Sequence, residues 1–198
     1  MGEINQKFTF LLKIAVIQLT FIFLFFLNLA VKDNNSRTSD VNIQPVLAQD
    51  EERGIPTRIK IPRIQVDAVV QEVNVAENGE MESPSNSSDV AWFELGPRPG
   101  KTGSSVIAGH FDGKNGEDGV FKDLGILKEG DVVTVEDDKG MTSIFIVRQS
   151  KAYDPGENEE VFGQSDGKHL NLITCDGVWD EDKKSYSKRL VVFADIMN

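Results

Sequence analysis

The sequence predicts an all-β domain, a sandwich or a barrel, set behind one N-terminal apolar helix and a polar stalk. Three observations carry this. From Pro56 onward, short alternating or β-branched runs recur at close spacing, punctuated by Gly, Pro, Asn and Asp. Helical periodicity is weak throughout that region, which argues against βαβ units. Phe8 to Val31, in contrast, is an almost unbroken apolar run of 24 residues. The chain has 198 residues, 39% hydrophobic and 27% charged, which fits one globular domain with appendages.

Phe8–Val31 reads FTFLLKIAVIQLTFIFLFFLNLAV. As a helix it would span roughly 36 Å at about 1.5 Å per residue, enough for a bilayer core. Lys13 interrupts it, but its stem can carry the charge back toward the headgroups beside Lys7. Both cations precede the main run, so residues 1–7 are expected in the cytoplasm, 8–31 in the membrane and everything after Val31 outside the cell. A cleaved signal peptide is the competing reading. Its candidate site, Val46-Leu47-Ala48, lies far past the apolar run, which favours an uncleaved signal anchor. Residues 32–55 are polar and aperiodic and read as a flexible stalk. The domain is expected over 56–198.

Within it, Thr57–Ile61 alternates and Val66–Val75 is Val-rich. Ser104–Ala108 is a short apolar run ending at Gly109. Asp131–Glu136 and Ser143–Val147 flank Asp138-Lys139-Gly140, a hairpin turn candidate. Leu170–Thr174 and Leu190–Ile196 close the domain. Phe121–Leu127 is the one stretch with helical spacing, Phe121, Leu124 and Leu127 sharing a face.

Charge and cysteine content narrow the function classes. The formal net charge of -11 excludes a broad cationic grip on nucleic acid. One cysteine permits no internal disulfide, multi-cysteine metal site or iron–sulfur cluster, and two histidines do not build a histidine-rich metal site.

The remaining chemistry centres on a thiol, an imidazole and a guanidinium. Cys175 follows Leu172-Ile173-Thr174 and precedes Asp176-Gly177, the expected end of a strand. Its bland alternative is a small buried hydrophobe. His110 ends the run Val106-Ile107-Ala108-Gly109, again at a strand end. An imidazole exchanges protons near neutral pH, and beside a thiol it favours the reactive thiolate. His169, between Lys168 and Leu170, fits a structural histidine better. Arg189 opens the last strand, 14 residues after Cys175. If the two strands pair, its guanidinium reaches the sulfur's surroundings and can stabilise a developing oxyanion, with Lys188 the fallback. A solvated strand-end arginine is the alternative.

These segments, in this order, resemble the sortases, membrane-anchored cysteine transpeptidases of mainly Gram-positive bacteria. Leu172-Ile173-Thr174-Cys175 is similar to the end of that family's T-L-x-T-C signature, with Asn171 where threonine is usual. Val106–His110 is similar to the segment ending in its catalytic histidine, and Arg189-Leu190-Val191-Val192 to its arginine-led last strand. Trp92–Pro99 and the Phe121…Leu124…Leu127…Gly130-Asp131 spacing match connecting features. The Cys175–Asp180 context looks like class F or class A-like members, whereas Arg189-Leu190 suits classes A and E.

The resemblance implies a closed barrel of about eight strands with short helices. It implies Cys175 as nucleophile, His110 as general acid and base, and Arg189 in oxyanion binding or substrate positioning. Thr174, Ala108, Gly109 and Asp176 are the expected substrate-contacting positions. The implied substrates are exported proteins with a C-terminal motif similar to Leu-Pro-x-Thr-Gly, joined through a thioester to an amine acceptor such as a cell-wall precursor or a pilin lysine. The reaction needs no cofactor. Some sortases bind calcium, and Glu157, Glu159 and Glu160, or Asp112, Glu117 and Asp118, offer suitable hard oxygens. Such charge-rich loops are more often solvated surface, so no metal ligand is assigned. A surface cysteine peptidase and a non-enzymatic anchored binding module are the alternatives. An amine acceptor separates the first, and indifference to Cys175→Ala the second.

Overall fold

The computed structural model describes residues 53–113, 115–157 and 159–197. The expected membrane segment and nearly all of the stalk lie outside those residues. Among them, no helix is long and apolar enough to cross a membrane. The last three residues of the segment read as stalk are tied down. Arg53 donates to the Thr142 carbonyl, and the amides of Gly54 and Ile55 donate to the carboxylates of Asp137 and Asp138.

Eight strands among the described residues close into a barrel. They are β1 (Pro56–Ile61), β2 (Val66–Val73), β3 (Val90–Phe93), β4 (Gly103–Gly109), β5 (Val132–Asp137), β6 (Thr142–Tyr153), β7 (Lys168–Asp180) and β8 (Ser185–Ile196). The order around the barrel is β1-β2-β3-β4-β7-β8-β6-β5. Pairing of β1 with β5 closes the ring of strands. One short helix, α1 (Glu159–Phe162), and single 3-10 turns at Pro62–Ile64 and Leu124–Ile126 complete the described elements.

Strand alternation sorts the side chains. Ile59, Ile61, Val133, Val135, Phe145, Val147, Leu170 and Leu172 point inward and are essentially inaccessible. Phe121, Leu124 and Leu127 are buried in the same core, as their shared face predicts, although the turn they form is 3-10. The hairpin at Asp138–Gly140 forms as expected, with Gly140 at φ 76°, where a β-carbon would be strained.

Two pairs of neighbouring strands, β2–β3 and β4–β7, are parallel. Parallel neighbours need crossover connections, which must travel over a barrel face. The segment between β2 and β3 and the one between β6 and β7 both reach the outer face of β4, β7 and β8, where they meet a second apolar cluster. Val106, Tyr153, Val161, Val191 and Phe193 are buried there, with Met81, Phe93 and Ile173 against them.

The structure extends several expected elements. β7 and β8 run well beyond the predicted Leu170–Thr174 and Leu190–Ile196, forming a long two-stranded hairpin. Cys175 therefore sits within a strand, not at its end. Just past it the ladder breaks register between Asp176 and Trp179, with Gly177 at φ 81°. A bulge of this kind bends a strand and re-aims the side chains beside it. Likewise Arg189 is the fifth residue of β8 rather than its first.

Candidate active site

The β7–β8 ladder pairs Cys175 with Arg189 directly. Opposed residues of an antiparallel pair project to the same face, so thiol and guanidinium share one side of the sheet. That side is the outer one, because Leu172 and Thr174 alternate with Ile173 and Cys175 and the former are buried. On the other flank of β7, the parallel register sets Ala108 beside Ile173. Two residues further along each chain come His110 and Cys175. One outer groove of about 340 Å³ is lined by His110, Cys175 and Arg189 together. Three segments distant in sequence thus meet at one surface.

The groove has an apolar floor and two loop walls. Phe93, Ala108, Ile173 and Val191 line its base. Met81 to Pro84, from the β2–β3 connection, form one wall, and Tyr153 to Glu157 with Val161 and Phe162 form the other. α1 in the second wall is held from two sides. The Tyr153 hydroxyl donates to Glu160 at 2.5 Å and Lys151 pairs with the same carboxylate at 2.7 Å. From beneath, the buried Asn171 amide donates to the Val161 carbonyl at 2.7 Å. Asn171, the departure from the family signature, is therefore one of the residues that seat this wall.

The His110 Nε2 lies 2.9 Å from the Pro84 carbonyl oxygen. A carbonyl only accepts, so Nε2 carries a proton and Nδ1 is the ring nitrogen left to face other groups. The contact ties the imidazole to the β2–β3 wall. Arg189 Nη1 donates to the carbonyls of Tyr186 and Lys188 at 3.1 Å each, and Nη2 to the Ser185 hydroxyl at 3.2 Å. These bonds hold the guanidinium along its own strand. Burial pushes the Cys175 thiol above its ordinary value; Arg189 opposes the shift and Asp112 adds to it. A raised value keeps the resting sulfur protonated at neutral pH.

The other sequence-selected residues separate. Thr174, Ala108 and Gly109 line the groove. The Thr174 side chain, however, is buried and donates to the Gly109 carbonyl at 2.9 Å. Its hydroxyl thus ties the Cys175 strand to the His110 strand and is turned away from any ligand. Asp176 does not line the groove; it is paired with Lys188 in the ladder. Lys188 is held by Asp154 at 2.7 Å, so Arg189 is the cation of the groove. His169 bonds Asp195 at 2.6 Å, at the far end of the same ladder, as a structural histidine would. Among the described residues, no group of three or more His, Cys, Asp or Glu is placed to hold a metal ion. In the carboxylate sets singled out for calcium, Glu160 binds Lys151 and Tyr153, Asp118 pairs with Lys122, and Asp112 accepts from Tyr186.

Sequence reasoning passed over Pro84, Phe162 and Tyr186. Pro84 and Phe162 lie in connections without periodicity. Tyr186 faces Trp179 across the hairpin, and that symmetric aromatic pair around a polar turn is the local signal that marks it.

No curated protein matches the chain. Solved structures do resemble it. Sortase C-1 from Actinomyces oris is 24% identical, with a TM-score of 0.57 over 72% of this chain and 71% of that one. A Clostridium perfringens sortase D5 transpeptidase is 21% identical, with a TM-score of 0.55 over 73% and 79%. Sortase A from Corynebacterium diphtheriae is 21% identical, with a TM-score of 0.59 over 83% and 73%. These are likenesses of fold, shared across three differently lettered sortases. The sequence itself matches the Sortase domain over residues 59–197, from the first barrel strand to the end of the last. The eight-stranded barrel, the outer groove and this match lead to one conclusion: the chain belongs to the sortase family of cysteine transpeptidases.

Proposed function

We propose that this protein cleaves a C-terminal sorting motif similar to Leu-Pro-x-Thr-Gly and transfers the acyl part to an amine. The observation that carries the reading is the direct Cys175–Arg189 pairing in a groove that His110 also lines. The thiol proton passes to His110 as sulfur attacks the carbonyl carbon between threonine and glycine. Arg189 supports the negative charge that develops on the carbonyl oxygen. The C–N bond then breaks, and the proton held by His110 goes to the departing amine, leaving a thioester on Cys175. An incoming amine, from a cell-wall precursor or a pilin lysine, loses a proton to His110 as it attacks. The thioester sulfur leaves and takes that proton back. The apolar floor suits the motif's leucine and proline.

Residues 8–31 anchor the protein in the membrane as a single span, and residues 56–198 act outside the cell. Clients are then exported proteins that present the motif at the same surface.

The test is mass spectrometry of the chain incubated with a library of sorting-motif peptides. A thioester adduct on Cys175, absent in Cys175→Ala, supports the proposal. Ligation to an added amine then distinguishes transpeptidation from peptidase action. No adduct with any peptide overturns it.

A further inference from the structure

The hairpin beyond Cys175 contains a second polar contact at the site. The Tyr186 hydroxyl donates to the Asp112 carboxylate at 2.6 Å, joining β8 to the segment that leaves β4. Asp112 is two residues after His110. The ring of Tyr186 is held edge-on by Phe111, centroids 5.6 Å apart, and by Trp179 at 5.3 Å. The carbonyl of the same Tyr186 accepts from Arg189. One residue therefore contacts the His110 segment through its phenol and ring and the groove's guanidinium through its backbone. The segment it holds is also fixed from within. Phe121 donates its amide to the His110 carbonyl at 2.9 Å, and Gly119 to that of Phe111 at 3.0 Å. Those bonds tie the backbone to the barrel on one side; Tyr186 ties it to the Cys175 hairpin on the other.

We propose that Tyr186 and Asp112 are positioning residues that set His110 against Cys175 for delivery of the proton to the leaving amine. This rests on the transpeptidase reading above. Asp112 supplies the acceptor and Tyr186 the donor, so the pair acts through its bond, and neither group touches the reacting atoms. The phenol suits the task, since the same contact pushes its pKa up to about 12 and keeps the donor protonated.

The experiment measures acylation of the full chain by two peptides with the same Leu-Pro-x-Thr acyl part. One carries the scissile amide, whose nitrogen must be protonated to leave. The other carries a thioester there, whose thiolate leaves unaided. Y186F keeps the ring but removes the donor. It is expected to lose on the order of tenfold to a hundredfold on the amide and several-fold less on the thioester, where His110 still takes the thiol proton but has no leaving amine to protonate. D112A is expected to match Y186F, and the double variant to be no worse than either. D112N, whose amide oxygen still accepts, is expected to stay within about threefold of the parent on both peptides. Equal losses on the two peptides, or an unchanged amide rate in both Y186F and D112A, overturn the inference. A parent inert toward both peptides overturns the transpeptidase reading, and this inference with it.

Discussion

Cys175 and Arg189 occupy opposed positions of one antiparallel ladder, and their side chains leave the barrel on the same face. Backbone hydrogen bonding sets the two residues side by side, so no loop motion is needed to bring Arg189 opposite Cys175. The guanidinium's own bonds to Tyr186, Lys188 and Ser185 add a second restraint. A preorganised cation is worth more than a mobile one, because no reorganisation is needed as charge develops.

Replacing Arg189 by alanine is accordingly expected to slow acylation by about 10²–10³-fold. Arg189→Lys keeps the charge but loses the planar fork and is expected to recover only part of the rate. Stopped-flow detection of the thioester measures both. An alanine variant within twofold of the parent would remove Arg189 from the mechanism.

The thiol's environment fixes the sign of a pH dependence. Burial raises the Cys175 pKa above its ordinary value, so the thiolate fraction is small at neutral pH and grows as pH rises through the alkaline range. The rate of alkylation by iodoacetamide is expected to climb with pH and show no plateau near 7. Arg189 lowers the value, so Arg189→Ala should move the curve to higher pH. Asp112 raises it, so Asp112→Asn should move it to lower pH. His110 lines the same groove and Tyr186 is coupled to the sulfur electrostatically, and neither is altered in those variants. Shifts of opposite sign to these would show that the local charges act differently on the sulfur.

Gly109 stands immediately before His110 with no space for a side chain. A β-carbon there would lie 2.5 Å from the Phe121 Cδ2 and 2.8 Å from the Val120 Cγ1. Phe121 is completely buried and has nowhere to retreat. Gly109→Ala is expected to cost about 1–3 kcal/mol, read as a lower urea midpoint, and to slow acylation by displacing His110. Unchanged stability together with an unchanged rate would mean that the β4 terminus yields freely.

The candidate site residues were legible because local patterns mark them. Cys175 and His110 each follow an apolar run whose strand period is plain, and His110 does stand directly after β4. Other parts carried no such pattern. β3 is a four-residue strand with three consecutive buried residues, so it shows no alternation. α1 is a single turn seated by Asn171 and Tyr153, and four residues hold no helical period. The outer reaches of β7 and β8 have no core to cover, so Gly177, Asp180 and Ser185–Lys188 lack the hydrophobic rhythm of a strand. Hence Cys175 reads as a strand terminus in sequence and as a bulge-flanked interior position in the fold.

Composition, spacing and the order of His110, Cys175 and Arg189 determined the all-β character, the candidate chemistry and the family resemblance. Each of those is encoded in neighbouring residues, where side-chain period and turn chemistry act. Only the tertiary structure decided that the three groups share the outer face, that Thr174 is a tie to Gly109 across 65 residues of chain, and that Tyr186 joins both halves of the site. Those are matters of register between distant strands, and register is set by the packing of the whole barrel, which no local stretch of sequence contains.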